Sequence, residues 1–288
     1  MKKLLLHLDT DPVASTFDQA VAYDSGVDNI IAHGGATRDN VTAHVHGMIF
    51  TRGGKNLKSS AIFIGGSNVP ASELVGQAVK KAFFGPVRIS VMLDPNGSNT
   101  TAAAIARKVM KNYDITGKKV VILGAGPVGQ RTALYLLKEG AGEVVLTSRS
   151  LQRSKATTDQ MKKAYNVDVI PGETRSDEAV SNLLKDAHVA VAAGPAGVCI
   201  MPEKSWASSP TLEVIADVNA VPPLGVEGME VMDDGVEKQG VRFYGAIAIG
   251  NFKMKVHRGA VASLFDSNEL FLDETTLYDI ACKIDNGE

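Results

Sequence analysis

Short apolar runs alternate with longer amphipathic stretches along nearly the whole chain. That alternation predicts a parallel α/β architecture, in which buried strands are joined by crossover helices. Residues 3–8 read as a first strand, and Val13, Phe17, Ala20 and Val21 then fall on one helical face. A weaker strand is expected over 29–32. The run 61–64 ends at Gly65-Gly66, and Leu74, Val75, Ala78, Val79, Ala82 and Phe83 form a helical stripe before a strand over 87–93. An alanine-rich helix over 99–110 follows, and the polar stretch ending at Gly117 reads as a domain junction. Strands over 118–123, 143–147, 167–170 and 188–192 then alternate with helices over 128–138, 151–165 and 176–185. The runs 213–216 and 245–249 are expected to be the last strands of that sheet, with helix again from Asn251. The predicted organisation is two α/β lobes: residues 1–100 with 251–288, and a Rossmann-type domain over 101–250.

Length agrees with this division, since 288 residues at about 150 per domain suggest two domains. The 30 Lys and Arg against 32 Asp and Glu leave a net charge of −2, no footprint for nucleic acid or an anionic membrane. The opening MKKLLLHLD resembles a signal peptide, but its apolar run is broken at His7 and ends at Asp9. No apolar stretch approaches the roughly 18 residues of a membrane helix. Cys199 and Cys282 form neither a C-x-x-C motif nor a disulfide framework, so a reducing, cytoplasmic location is expected. Glycine is in excess at 28 of 288 residues, which makes its placement the main question.

Gly124-Ala125-Gly126-Pro127-Val128-Gly129 stands directly after an apolar strand and at the mouth of an amphipathic helix. In that context G-x-G-x-x-G is the dinucleotide fingerprint: a tight turn, backbone close to a pyrophosphate, and close helix–strand packing. NAD enzymes place a carboxylate at the end of the next strand. Here that strand runs into Thr147, Ser148 and Arg149, with Arg153 and Lys155 beyond, and carries no acid. A guanidinium with flanking hydroxyls suits a 2′-phosphate, so NADP is expected, with NAD as the alternative. Arg153 and Lys155 also fit the solvated face of a helix. Ala193 and Gly194 follow the fourth strand at the sheet edge where such folds bind ligands, and Asn219 follows the fifth; both loops are candidate cofactor contacts. Ordinary turn chemistry is the alternative for both.

The blocks HLDTDPVASTFD (7–18), AIFIGG (61–66), DPNGSNTTAAA (94–104), GAGPVG (124–129), DVNAVPPLG (217–225) and GAIAIGNFKMKVHR (245–258) together resemble the NAD(P)-dependent methylene-tetrahydromethanopterin dehydrogenases. The resemblance runs nearly end to end. It implies two lobes separated by a cleft, NADP on one lobe, a tetrahydropterin on the other, and subunits assembled as trimers or hexamers. It also implies oxidation of the methylene pterin to the methenyl form. In an N–CH2–N unit the nitrogen lone pairs stabilise the cation left by hydride departure, so orientation and water exclusion suffice. Related folate enzymes that are also cyclohydrolases carry Tyr-x-x-x-Lys; none of the six tyrosines here has Lys four residues on, so hydrolysis is not expected.

Asn99, Thr100 and Lys255 are the candidate catalytic residues, and Phe17, Asp18, Asp94, Thr101 and Lys253 the candidate pterin contacts. Phe17 fits its helix's core stripe equally well, and a solvated face accounts for at least one of the two lysines. His44 and His46 would share one face of a strand, but no carboxylate or cysteine completes a site, so no metal is expected. Trp206 reads as packing. Asn40-Val41-Thr42 loosely resembles a shikimate dehydrogenase block, but Ala43, His44, Val45 and His46 follow in place of its proline and lysine base. Alternatives remain: a methylene-tetrahydrofolate or shikimate-type dehydrogenase, or a nicotinamide-sensing protein without turnover.

Overall fold

The computed structural model describes residues 1–287 and divides into two compact units, Met1–Thr100 with Met254–Glu288, and Thr101–Lys253. In chain order the first unit contributes β1 (Leu4–Asp9), α1 (Thr16–Asp24), β2 (Asn29–His33), α2 (Val41–Thr51), β3 (Ser60–Gly65), α3 (Val69–Lys81) and β4 (Ser90–Leu93). Then follow α4 (Ser98–Val109), β5 (Lys119–Leu123), α5 (Pro127–Lys138), β6 (Glu143–Ser148), α6 (Leu151–Tyr165), β7 (Ile170–Glu173), α7 (Asp177–Leu184), β8 (Val189–Ala192) and the short α8 (Glu203–Trp206). The chain closes with β9 (Val214–Asp217), β10 (Asp234–Lys238), β11 (Val241–Tyr244), α9 (Ala246–Ser263), β12 (Phe271–Leu272) and α10 (Glu274–Asp285).

The first unit is built on a five-stranded parallel sheet of order β12-β4-β3-β1-β2. Its central strands are buried on both faces, so they read as unbroken apolar runs rather than alternating ones. Leu6, Leu8, Ile62, Ile64 and Val91 pack on one face with Val41, Val45 and Ile49 of α2 and Val75 and Val79 of α3. Leu5, Ala61, Phe63 and Met92 pack on the other with Ala22, Ala260, Val261, Leu264 and Leu277.

The second unit carries a seven-stranded sheet of order β10-β11-β9-β8-β5-β6-β7, parallel except for β10. The reversal of winding between β5 and β8 puts the loops after these two strands side by side, the switch point at which open α/β sheets take ligands. Trp206 is indeed core, its indole N–H donating to the Glu227 carbonyl at 3.0 Å and its ring edge-on to Phe243. Among the described residues no helix is long and apolar enough to cross a membrane.

Several sequence expectations are corrected. Residues 245–249 are not a strand: α9 starts at Ala246, and Ile249, Val256 and Ala260 are buried at helical spacing. An apolar run of five residues does not distinguish a strand from a buried helical turn. Lys253 and Lys255 accordingly lie inside α9 rather than after a strand. The sheet's end is instead the hairpin β10–β11. His44 and His46 are on α2, where residues two apart do not share a face. His44 lies against His33 at 4.0 Å between ring centroids, whereas His46 bonds the Ala82 carbonyl at 3.2 Å.

The first helical stripe also fails. Ser15 caps α1 by accepting from the Asp18 amide, and Val13 and Phe17 are 80% and 53% exposed while Val21 and Ala22 are buried. Phe17 is thus not a core residue. The strand expected over 87–93 is confined to β4, that over 167–170 is displaced to β7, and the polar stretch ending at Gly117 lies inside the second unit.

Candidate active site

The second unit holds a cavity of about 370 Å³ at the carboxyl ends of β5, β6 and β8. Its base is Gly124, Ala125 and Gly126; one side is Thr147, Ser148, Arg149, Arg153 and Thr174, and the other Ala193, Gly194, Pro195, Val198 and Ile200. Gly124 adopts φ +133°, and a Cβ there would run into the Ala193 carbonyl. A Cβ on Gly129 would run into the carbonyl of Gly124, so this glycine lets α5 close onto the turn. Nothing lies within 4 Å of the Cβ position of Gly126. Its bareness leaves open approach to the start of α5, where no side chain caps the first turn and the helix dipole favours an anion.

The rim at β6 is basic. Arg149 and Arg153 are exposed, and among the described residues neither has an ion-pair partner. The nearest acid along β7, Glu173, is engaged by Arg175 at 2.8 Å and by the Leu151 amide at 3.1 Å. Thr174 enters this rim because its amide bonds the Ser148 carbonyl at 3.0 Å. Of the residues expected at the cofactor, Gly124, Ala125, Gly126, Ser148, Arg149, Arg153, Ala193 and Gly194 line the cavity, whereas Pro127, Val128, Gly129 and Asn219 do not.

Asn219 instead ties two loops together. Its carbonyl oxygen accepts from the amides of Gly197 at 3.3 Å and Val221 at 2.9 Å, and its amide donates to the Pro223 carbonyl at 3.1 Å. Asp217 beside it is buried and accepts from the amides of Asn219 and Val226 at 2.9 and 3.1 Å. Burial pushes its carboxyl above the ordinary range, and the backbone donors pull it back.

In the first unit, the Asp94 carboxylate organises the start of α4. It accepts from the Asn99 and Thr100 amides at 2.9 and 3.2 Å and from the Thr100 hydroxyl at 2.6 Å, while the Asn99 side chain donates to the Leu93 carbonyl at 2.8 Å. All three residues are buried, which gives Asn99 and Thr100 a loop-holding geometry. Thr100→Val should remove a buried hydrogen bond to a carboxylate and cost about 1–3 kcal/mol of stability, read by urea denaturation. Thr101 is half-buried on α4, Lys253 is buried on α9, and Lys255 is exposed on the same helix.

A second constellation lies at the ends of β1 and β3. His7, Asp9 and Asp18 bring one ligand atom each to within 4.8 Å of one another. Asp9 accepts from the amides of Asp11 and Ser15, both at 2.9 Å, and so folds the loop that carries α1 back over the strand. Burial pushes the His7 imidazole below its ordinary value, opposed by the Asp9 charge. Both ring nitrogens of His7 are buried without a hydrogen-bond partner. Sequence reasoning missed His7, Asp9 and Thr174, and weighed a metal only at His44 and His46.

Parallel sheets, a glycine turn at the switch point and a second α/β unit define the class: a two-unit protein on a Rossmann-type scaffold. Residues 16–96 match the model for the methylene-tetrahydromethanopterin dehydrogenase N-terminal domain, and residues 104–222 that for shikimate/quinate 5-dehydrogenase. The chain is 47% identical to the "Bifunctional protein MdtA" of Methylorubrum extorquens over 97% of its length and 98% of the relative's. It is 34% identical to the NAD(P)-dependent methylenetetrahydromethanopterin dehydrogenase of the same organism, over 99% of each chain. The chain belongs to the methylene-tetrahydromethanopterin dehydrogenase family, a family of oxidoreductases. A crystal structure of shikimate 5-dehydrogenase from Listeria monocytogenes shares the fold, with 12% identity, a TM-score of 0.55 and coverage of 97% of this chain and 96% of that one.

Proposed function

We propose that the protein oxidises methylene-tetrahydromethanopterin to methenyl-tetrahydromethanopterin by direct hydride transfer to NADP, without cyclohydrolase activity. The observation that carries this reading is a division of labour along the chain. The half matching shikimate dehydrogenases contains the glycine turn, whereas residues 16–96 match the methanopterin enzymes. Substrate choice is then the business of the first unit.

In the second unit, Gly124 and Gly126 admit the pyrophosphate to the start of α5, and Ser148, Arg149, Arg153 and Thr174 receive the 2′-phosphate through charge-assisted bonds. NADP supplies the hydride acceptor. The C–H bond of the N–CH2–N bridge breaks, its electron pair leaves with hydrogen for the nicotinamide ring, and the bridge becomes an N–CH=N cation. No proton moves, so the protein needs no acid or base at the reacting carbon; it orients and dehydrates. Phe17 and Asp18 contact the pterin, and Lys255 meets a carbonyl or the acidic tail of the substrate. Asp94, Asn99 and Thr100 act through the loop they hold. A lysine base of the kind shikimate reduction requires has no counterpart after Asn40-Val41-Thr42.

Protein mixed with NADP and methylene-tetrahydromethanopterin, or with methylene-tetrahydrofolate, is expected to yield NADPH and the methenyl product in equal amounts. No reduction with either pterin would sink the proposal, and accumulation of a formyl product would refute the absence of cyclohydrolase.

A further inference from the structure

The first unit holds a second cavity, of about 330 Å³, at the edge of its sheet opposite the one to which the reaction is assigned. Its lining comes from the end of α3 and from residues that lead into two strands. Arg88 and Ile89 directly precede β4, and Glu269 and Leu270 directly precede β12. The sheet is parallel, so these amino ends share one edge, whereas Asp9, Gly65 and Asp94 stand at the carboxyl edge. In volume the cavity falls at the small end of ligand sites, which run from about 300 to 1,000 Å³.

Two chemistries meet in it. Phe83, Ile89, Leu270 and Phe271 form an apolar wall, and Lys80 and Arg88 bring two cations against one acid, Glu269. Among the described residues none of these three charged groups is in an ion pair. Lys80 Nζ stands 3.5 Å from the centroid of the Phe271 ring, so a cation–π contact holds the ammonium at the wall without neutralising it. Arg88 donates from Nε to the Gly85 carbonyl at 2.6 Å, which fixes the guanidinium and leaves its two terminal nitrogens for another acceptor.

The walls are pinned to each other. The Asn268 side chain donates to the Arg88 carbonyl at 3.0 Å, and the Ser90 hydroxyl donates to the Ser267 carbonyl at 2.9 Å while accepting from the Leu270 amide at 3.2 Å. Gly85 leaves the lining bare on one side, with φ +53° and nothing within 4 Å of its Cβ position. A preformed recess with excess positive charge and an apolar wall concentrates anions.

We propose that this cavity binds a small organic monoanion with an apolar body, a carboxylate of the fatty-acid kind. The wall takes the hydrocarbon, and Arg88 and Lys80 take the carboxylate, which fits the free fork of a guanidinium. One negative charge balances two cations and one acid. The site requires neither cofactor nor pterin. Its effect falls on β12, a two-residue edge strand that a ligand seated against Leu270 and Phe271 would hold in place.

Octanoate is the probe, with 1-octanol and octylamine as bodies of equal length carrying no charge and the opposite charge. Calorimetric titration of the full chain, with NADP in excess to fill the cofactor cavity, is expected to show one octanoate per chain and binding about tenfold or more weaker for the other two. Arg88→Gln and Lys80→Gln should each weaken octanoate by about fivefold or more, and Glu269→Gln should tighten it. Saturating octanoate should raise the melting temperature of the wild type by roughly 2–4 °C and leave that of the Lys80→Gln/Arg88→Gln double variant unmoved. Without ligand the double variant should melt as the wild type does and keep the wild-type KM for NADP. Equal binding of octanoate and octanol, or octanoate binding untouched by both substitutions, overturns the proposal. A change of oligomeric state in the double variant, read by light scattering, also overturns it, since the cavity would then be an interface between copies of this chain. The binding and melting readings need no turnover, so they stand or fall separately from the proposed reaction.

Discussion

Arg149→Ala is expected to raise KM for NADP by roughly 10- to 100-fold and to leave KM for NAD within about twofold. The size follows from the bond it removes: a hydrogen bond to a charged group is worth about 1.5–3 kcal/mol, and each 1.4 kcal/mol is about a factor of ten. The selectivity follows from the ligands, which differ only by the 2′-phosphate. Nothing at the rim turns the remaining site against NADP, because Glu173 is held by Arg175 and the Leu151 amide. Arg153→Ala should act in the same direction with smaller effect, since Arg153 projects from the first turn of α6 rather than from the end of β6. Steady-state kinetics with both cofactors decide the matter, and equal losses for NADP and NAD would refute the assignment of this rim. Raising salt should weaken NADP binding more than NAD binding in the wild type, because the rim is exposed and therefore screened.

The parts of this site legible in the sequence are those with a local physical requirement. The glycine turn needs bare backbone at Gly124 and Gly129 for its own geometry, and Gly126 completes the spacing, so a strand, the three glycines and a helix announce it. The acid-free end of β6 is legible for the same reason, since strand, turn and side chain are contiguous. Thr174 was not legible: Val167, Val169 and Ile170 are the apolar signal, yet β7 begins only at Ile170, so its end falls three residues later than at the predicted Ile170. The edge strand β10, Asp-Gly-Val-Glu-Lys, has almost no apolar content because one side faces water. His7 reads as an interruption of an apolar strand. Only the folded loop, closed by Asp9 on the Asp11 and Ser15 amides, brings Asp18 to it. Long-range closure of that kind leaves no trace in periodicity.

Gly126→Ala and Gly129→Ala are expected to separate the two demands that the turn makes. At Gly129 the new methyl meets the Gly124 carbonyl, a backbone atom that moves only if α5 withdraws from β5. Close-packed interiors answer such overpacking with a cost of about 1–3 kcal/mol, and more where backbone is struck. For a protein of this size that corresponds to a fall in melting temperature of a few degrees. NADP binding should fall with it, because the displaced helix start carries the amides proposed to face the phosphates. At Gly126 the methyl meets no atom within 4 Å, and the backbone, at φ −76°, is a conformation alanine adopts freely. Gly126→Ala should therefore keep the wild-type melting temperature without ligand, yet bind NADP at least tenfold more weakly, as the methyl stands where the pyrophosphate is proposed to come closest. The stabilisation that saturating NADP gives the wild type should shrink accordingly in this variant. Thermal melts of both variants with and without NADP provide the measurement. A Gly126→Ala protein that melts normally and gains full stabilisation from NADP would show that the cofactor does not approach over this turn.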